Sequence, residues 1–173
     1  MTLANMGLPM IAVVWPVGWL LIIPIILVEW LLACRMLKIP SLKGLEVAGI
    51  GNLASTFLAV PVTWGVMLVL ALVFPYSDLD SFLGVINNVV LHSAWLAPWR
   101  GESHWMVPAA ALTLCVPFYF ASVGVEYAIA RGLLASRFPT VRCGSWAWKS
   151  NGLTYGAIAT CLIGMTLFNR LKS

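Results

Sequence analysis

The sequence predicts an all-α integral membrane protein with four transmembrane helices in two hairpins. Of its 173 residues, 61% are hydrophobic and 9% are charged, and the mean hydropathy is +0.95. A soluble domain usually carries roughly 25% charged residues. Glycine and proline follow no period, and the sequence contains 4 cysteines. Soluble globular, collagenous and disulfide-scaffold classes are therefore excluded.

Four charge-free runs define the predicted spans. An ionised side chain at the bilayer centre costs roughly 2.5–3.5 kcal/mol on insertion scales, whereas about 20 apolar residues suffice to cross. We therefore predict helices over 10–34, 46–74, 106–134 and 147–169. The chain is then one membrane domain over 1–173, with a hairpin over 10–74, an outer segment over 76–105 and a second hairpin over 106–170.

Basic residues predict the orientation of these spans. Of the 10 basic residues, 7 lie in or beside the two hairpin loops: Arg35, Lys38, Lys43, Arg131, Arg137, Arg142 and Lys149. The positive-inside rule places these loops in the cytoplasm and both termini on the outer side. The net charge of +4 is concentrated beside the spans. We therefore expect membrane lipids, and no nucleic acid, as its partner.

The segment between the hairpins has a different pattern. Apolar residues recur at helical spacing over 81–97, while Asn88 and His92 share another face. This pattern is typical of an amphipathic helix lying in the outer interface. His92, Glu102 and His104 are weak candidates for a metal site, but their spacing matches no metal motif. We predict no metal, and the sequence specifies no cofactor beyond lipid.

Tryptophan is unusually frequent near the span ends. The 9 tryptophans include Trp30, Trp64, Trp146 and Trp148. Tryptophan favours the headgroup level of a bilayer, so these residues predict an aromatic belt.

An internal repeat appears when the two basic loops are aligned. Both halves contain Pro-[Ser/Thr]-x-[Lys/Arg], beginning at Pro40 and Pro139, followed by Asn-x-x-[Ser/Thr] at Asn52 and Asn151. With a two-residue gap, Glu29 also matches Glu126. The matches fall on polar residues, which are rare here, so we predict a parallel repeat of two hairpins.

Two glutamates inside the spans need an explanation. Glu29 is followed by Arg35, and Glu126 is followed by Arg131, toward the same predicted membrane face. Because arginine can bind a carboxylate with two hydrogen bonds, we predict Glu–Arg clamps that fix the helices. The alternative is a proton or cation site at these carboxylates.

Asparagines near the starts of the second and fourth helices are the other polar feature. Asn52 and Asn151 are each followed by a hydroxyl residue, Ser55 or Thr154. Such groups typically hydrogen-bond between membrane helices. Together with Glu29 and Glu126, the two asparagines could also form one polar site near the cytoplasmic face.

The function follows less directly from these residues. The sequence contains no GxGxxG, P-loop, G-x-S-x-G or HExxH motif, so we predict no catalytic residue and no enzyme of those classes. The first hypothesis is a structural or accessory subunit that packs against other membrane protein subunits through its apolar helix faces. The alternative is a small transporter or channel with a polar site between the two hairpin repeats.

Overall fold

The computed structural model describes residues 16–73, 106–138 and 142–172, and their regular structure is helical. The helices are α1 (Pro16–Leu37), α2 (Ser41–Val73), α3 (Met106–Leu134) and α4 (Cys143–Lys172). Within these ranges, the predicted all-α class with four helices is confirmed. The predicted interfacial helix at 81–97, with His92, Glu102 and His104 near it, lies outside the described residues.

Three of these helices are long and apolar enough to cross a membrane. The stretches with this property are Leu20–Leu37 in α1, Ala111–Leu134 in α3 and Cys143–Phe168 in α4. Their length and composition support the predicted membrane class.

The helices extend beyond the apolar runs that predicted them. Helix α1 ends at Leu37 rather than 34, α2 begins at Ser41 rather than 46, and α4 spans Cys143–Lys172 rather than 147–169. Charged residues limit an apolar run, but they do not end a helix. In the first turns of α2, Lys43 Nζ bonds Glu46 Oε2 at 2.9 Å, a pairing that helical i,i+3 spacing allows.

A short connection joins α1 to α2. Lys38 has φ 54°, in the left-handed region where many helices end. The next residue, Ile39, is buried, and the Gly44 amide donates to the Pro40 carbonyl at 2.9 Å to close the first turn of α2. An apolar residue directly after a left-handed helix end commonly packs back onto the helix, which fixes where the chain turns.

The chain divides into two compact units. Unit 1 comprises Met1–Pro16, Val60–Val116 and Ile158–Ser173, and its described part buries Leu114 and Leu162. Unit 2 comprises Val17–Ala59 and Pro117–Ala157.

The core of unit 2 takes residues from all four helices. Its buried members include Ala33, Val47, Ala130 and Trp146. The core also contains Leu37 and Ile39 from around the first connection and Leu134 and Cys143 from around the second. The two connections therefore contribute to the same core.

Helices α1 and α2 approach closely at Gly44. The Trp30 indole donates to the Ser41 carbonyl at 2.8 Å. A Cβ atom added at Gly44 would lie 2.6 Å from Cys34 Sγ and 3.2 Å from Trp30 Cδ1. Only glycine fits this contact without a shift of its neighbours.

We expect Gly44→Ala to destabilise the protein by about 1–3 kcal/mol, because the added methyl overpacks the contact between α1 and α2. Gly49→Ala is the matched control, since nothing lies within 4 Å of its added Cβ. Removing that helical glycine should stabilise by up to about 1 kcal/mol. Unfolding in detergent would measure both changes, and equal effects would contradict the close approach.

Candidate functional site

Two glutamates lie in the core of unit 2 and form the carboxyl pair. Glu29 of α1 is 0% exposed and Glu126 of α3 is 1% exposed. Both lie inside stretches that are long and apolar enough to cross a membrane. A buried carboxyl group is stable only when other groups hydrogen-bond it, so its partners decide what the site can do.

Asparagine amides hold both carboxyl groups. Asn52 Nδ2 donates to Glu29 Oε2 at 2.6 Å and to the Ala48 carbonyl at 3.0 Å. Asn151 Nδ2 donates to Glu126 Oε2 at 2.6 Å and to the Ala147 carbonyl at 3.0 Å. In each case the second bond reaches one turn back along the helix and directs the amide toward its carboxyl group.

Helix α4 contacts both members of the carboxyl pair. Thr154 Oγ1 donates to Glu29 Oε1 at 3.2 Å, and Asn151 binds Glu126 from the same helix. Side chains three residues apart on a helix lie about 5–6 Å from each other at Cβ. The carboxyl groups that they bind are therefore neighbours, and they lie within hydrogen-bonding reach of each other.

A glycine of α2 lies beside the carboxyl pair, and two buried serines of α2 and α4 hydrogen-bond to their own helices. A Cβ atom added at Gly51 would lie 3.1 Å from Glu126 Cγ, so α2 passes close to that side chain. Ser150 is 0% exposed and donates to the Trp146 carbonyl at 2.9 Å. Ser55, one turn beyond Gly51, is also buried and donates to the Asn52 carbonyl.

The predicted arginine clamps are wrong. Arg35 and Arg131 are exposed, and Arg131 Nη1 donates to Tyr127 Oη at 2.9 Å. Within the described ranges, the ion pair that the structure shows joins Lys43 and Glu46. Both arginines lie in the last turn of their helices, where a guanidinium stays hydrated. The asparagine amides satisfy the carboxyl groups without the cost of burying a cation.

Trp146 departs from the predicted aromatic belt. It is 0% exposed, and its Nε1 donates to the Glu29 carbonyl at 3.2 Å. Trp148, two positions later, is 50% exposed. At the offset of the predicted internal repeat, Trp146 aligns with Val47, and both are fully buried.

The carboxyl pair has a clear chemical capacity. Two carboxylates in contact repel each other, and a hydrogen bond between them requires that one carries a proton. No cluster of three or more metal-ligating side chains occurs in the described part of the chain. Two carboxyl groups held by amide and hydroxyl donors can bind and release a proton.

Comparisons with known proteins do not assign a family. No protein-family model, curated protein or solved structure matches the chain. The function is therefore argued from the carboxyl pair and its partners.

Proposed function

We propose that this chain is a small membrane transport protein whose carboxyl pair binds and releases a proton. The observation that supports the proposal is a pair of buried glutamates held by Asn52, Asn151 and Thr154, with both candidate arginines exposed. Ionisable residues inside a membrane are expensive, and they commonly mark ion pathways and proton relays.

Charge counting supports a proton as the ligand. A carboxyl pair that holds one proton keeps one negative charge, and a second proton removes it. The amides and the hydroxyl supply hydrogen bonds but no positive charge. Proton uptake therefore changes the core from charged to neutral, and this change can favour one helix arrangement over another.

We also infer that α2 is a fourth membrane span and that the chain consists of two hairpin repeats. Helix α2 has 33 residues and is about 50 Å long at the α-helical rise, longer than the hydrocarbon core. The matching hydrogen bonds of Asn52 and Asn151 support a duplication. The basic loops are placed in the cytoplasm and both termini outside on the charge distribution alone.

A flux measurement in lipid vesicles tests the proposed function. Vesicles containing the protein and an internal pH indicator are exposed to mixtures of small ions, sugars or amino acids. We expect solute-dependent acidification, which Glu126→Gln reduces to the rate of protein-free vesicles because glutamine cannot release a proton. Glu46→Gln is the matched control, since Glu46 pairs with Lys43 at the helix surface and lies outside the core.

Two results of this flux measurement would contradict the proposed function. A folded Glu126→Gln protein with unchanged flux would contradict proton transport through the carboxyl pair. Protein that gives no flux with any mixture would also contradict it.

An accessory-subunit function is the second proposal. Tyr119, Phe120 and Trp148 form edge-to-face ring contacts with centroids 5.3–5.8 Å apart. Phe120 is 56% exposed and Trp148 is 50% exposed. Rigid aromatic surfaces of this kind are frequent where proteins meet. A stoichiometric membrane partner in mild detergent extracts, lost in a Phe120→Ala and Trp148→Ala double variant, would support this second proposal.

A further inference from the structure

The two carboxyl groups have unequal surroundings. Each oxygen of Glu29 accepts a hydrogen bond, from Asn52 on Oε2 and from Thr154 on Oε1. Glu126 accepts one amide hydrogen bond, from Asn151 on Oε2. Hydrogen bonds donated to a carboxylate favour its ionised form. The surroundings of Glu29 therefore stabilise negative charge better than those of Glu126.

Aligning the two predicted repeats shows which residues cause the difference between Glu29 and Glu126. Ser55 occupies the position in α2 that Thr154 occupies in α4, 99 residues later. Both hydroxyl groups contact the carbonyl three residues earlier, Thr154 that of Asn151 at 3.2 Å and Ser55 that of Asn52 at 3.1 Å. Only the Thr154 hydroxyl is also within hydrogen-bonding distance of a carboxylate oxygen, Glu29 Oε1 at 3.2 Å. The pseudo-symmetric site is therefore broken at this one pair of hydroxyl groups.

The charged residues of unit 2 do not offset this difference between the hydrogen bonds of Glu29 and those of Glu126. On α1 and α3, Arg35 and Arg131 are exposed, and Lys149 of α4 is exposed as well. On α2, Lys43 is paired with Glu46. Hydrogen bonds, rather than neighbouring ions, therefore decide which carboxyl group carries the proton.

We infer that the proton of the carboxyl pair resides on Glu126, whose O–H group donates a hydrogen bond to the Glu29 carboxylate. The Thr154 hydroxyl is the positioning group that keeps the proton on Glu126. This inference deepens the proposed function, because it names the group that releases the proton. Glu29 then accepts three hydrogen bonds as a carboxylate, and Glu126 accepts one and donates one as an acid.

The same geometry defines the transfer step. The O–H bond of Glu126 breaks, an O–H bond forms on Glu29, and the negative charge moves from Glu29 to Glu126. The Thr154 hydroxyl can turn to the Ser150 carbonyl at 3.1 Å, which it already contacts. Ser55 lies one turn beyond Gly51, where α2 passes close to Glu126, so we expect its hydroxyl to turn toward the new carboxylate. The step needs no other reactant.

Nuclear magnetic resonance of the full chain in lipid bilayers tests this inference. Glutamate labelled with ¹³C at the side-chain carboxyl distinguishes an acid from a carboxylate by its chemical shift. Glu29→Gln and Glu126→Gln assign the two signals by their loss. At neutral pH we expect the Glu126 signal at the position of a neutral acid and the Glu29 signal at the position of a carboxylate.

Substitutions at the two hydroxyl groups test the positioning function of Thr154. Thr154→Val should move the Glu126 signal toward the carboxylate and the Glu29 signal toward the acid, and Thr154→Ser should restore the original positions. Ser55→Ala, which removes the aligned hydroxyl, should leave both signals unchanged.

A neutral Glu29 or two ionised carboxylates in the unsubstituted protein would overturn the inference. Unchanged signals in a folded Thr154→Val protein would overturn the function assigned to Thr154. If Thr154→Val does not fold, the spectrum of the unsubstituted protein still decides where the proton lies. The spectra do not depend on flux, so absent transport with the expected spectra would contradict the proposed function and leave the proton placement standing.

Discussion

Trp146→Ala is expected to destabilise the protein by about 3–5 kcal/mol, the usual cost of removing a large buried aromatic side chain. Trp146 is 0% exposed, and it has the largest side chain among the fully buried residues of the described structure. Alanine would leave a cavity in the core of unit 2, and the Glu29 carbonyl would lose its indole donor. Reversible unfolding in detergent or bicelles measures the loss.

Trp148→Ala is the chemically matched control for Trp146→Ala. Trp148 is half exposed, and its described contacts include ring contacts with Tyr119 and Phe120. Losing two ring pairs should cost on the order of 1 kcal/mol. Equal losses at the two tryptophans would show that Trp146 does not occupy the core.

A double-mutant cycle between Glu29 and Asn52 is expected to show strong coupling. The carboxyl oxygen and the amide nitrogen are 2.6 Å apart in a buried site. Either single change to leucine leaves the other polar group without its partner, at about 1–3 kcal/mol. The double change removes both groups together, so it should cost less than the sum of the single changes. Free energies of unfolding for the four proteins give the coupling.

Two further cycles serve as controls for this coupling. The pair Lys43 and Glu46 is partly exposed, and its coupling should be about 0.5 kcal/mol or less. The pair Glu126 and Arg131 should show no coupling, because Arg131 is exposed and bonds Tyr127. Strong coupling between Glu126 and Arg131 would instead restore the arginine clamp.

The sequence was informative where polar residues interrupt apolar runs. Glu29 and Glu126, like Asn52 and Asn151, stand out because almost every neighbour is apolar. A polar group in such a run must find a partner inside the protein. This reasoning identified the four residues that the structure brings together, although it chose the wrong partners for the carboxyl groups.

The choice between arginine and asparagine could not be made from spacing. Arg131 follows Glu126 on the same helix, whereas Asn151 is on another helix, and only the packing of α3 against α4 brings its amide to 2.6 Å from the Glu126 carboxyl group. The cost of burying a guanidinium favours the amide. That cost applies only if the site is closed to water, which a single sequence does not reveal.

Burial within each helix was equally hard to predict. In a soluble helix the polar face marks the outside, but here exposed and buried faces are both apolar. Leu153 is 56% exposed and Leu162 is 7% exposed, although both are leucines of α4. Trp146 and Trp148 pose the same problem, so the core position of Trp146 required the structure.

Infrared spectroscopy tests most directly whether Glu29 and Glu126 share a proton. A protonated carboxylic acid has a carbonyl stretching band that an ionised carboxylate lacks. In lipid at neutral pH, we expect such a band in the unsubstituted protein, a shift of it in deuterated water, and its loss in Glu126→Gln. The band should persist in Glu46→Gln and Arg131→Gln. Its absence from the unsubstituted protein, or its persistence in a folded Glu126→Gln protein, would contradict a proton held on the carboxyl pair at Glu126.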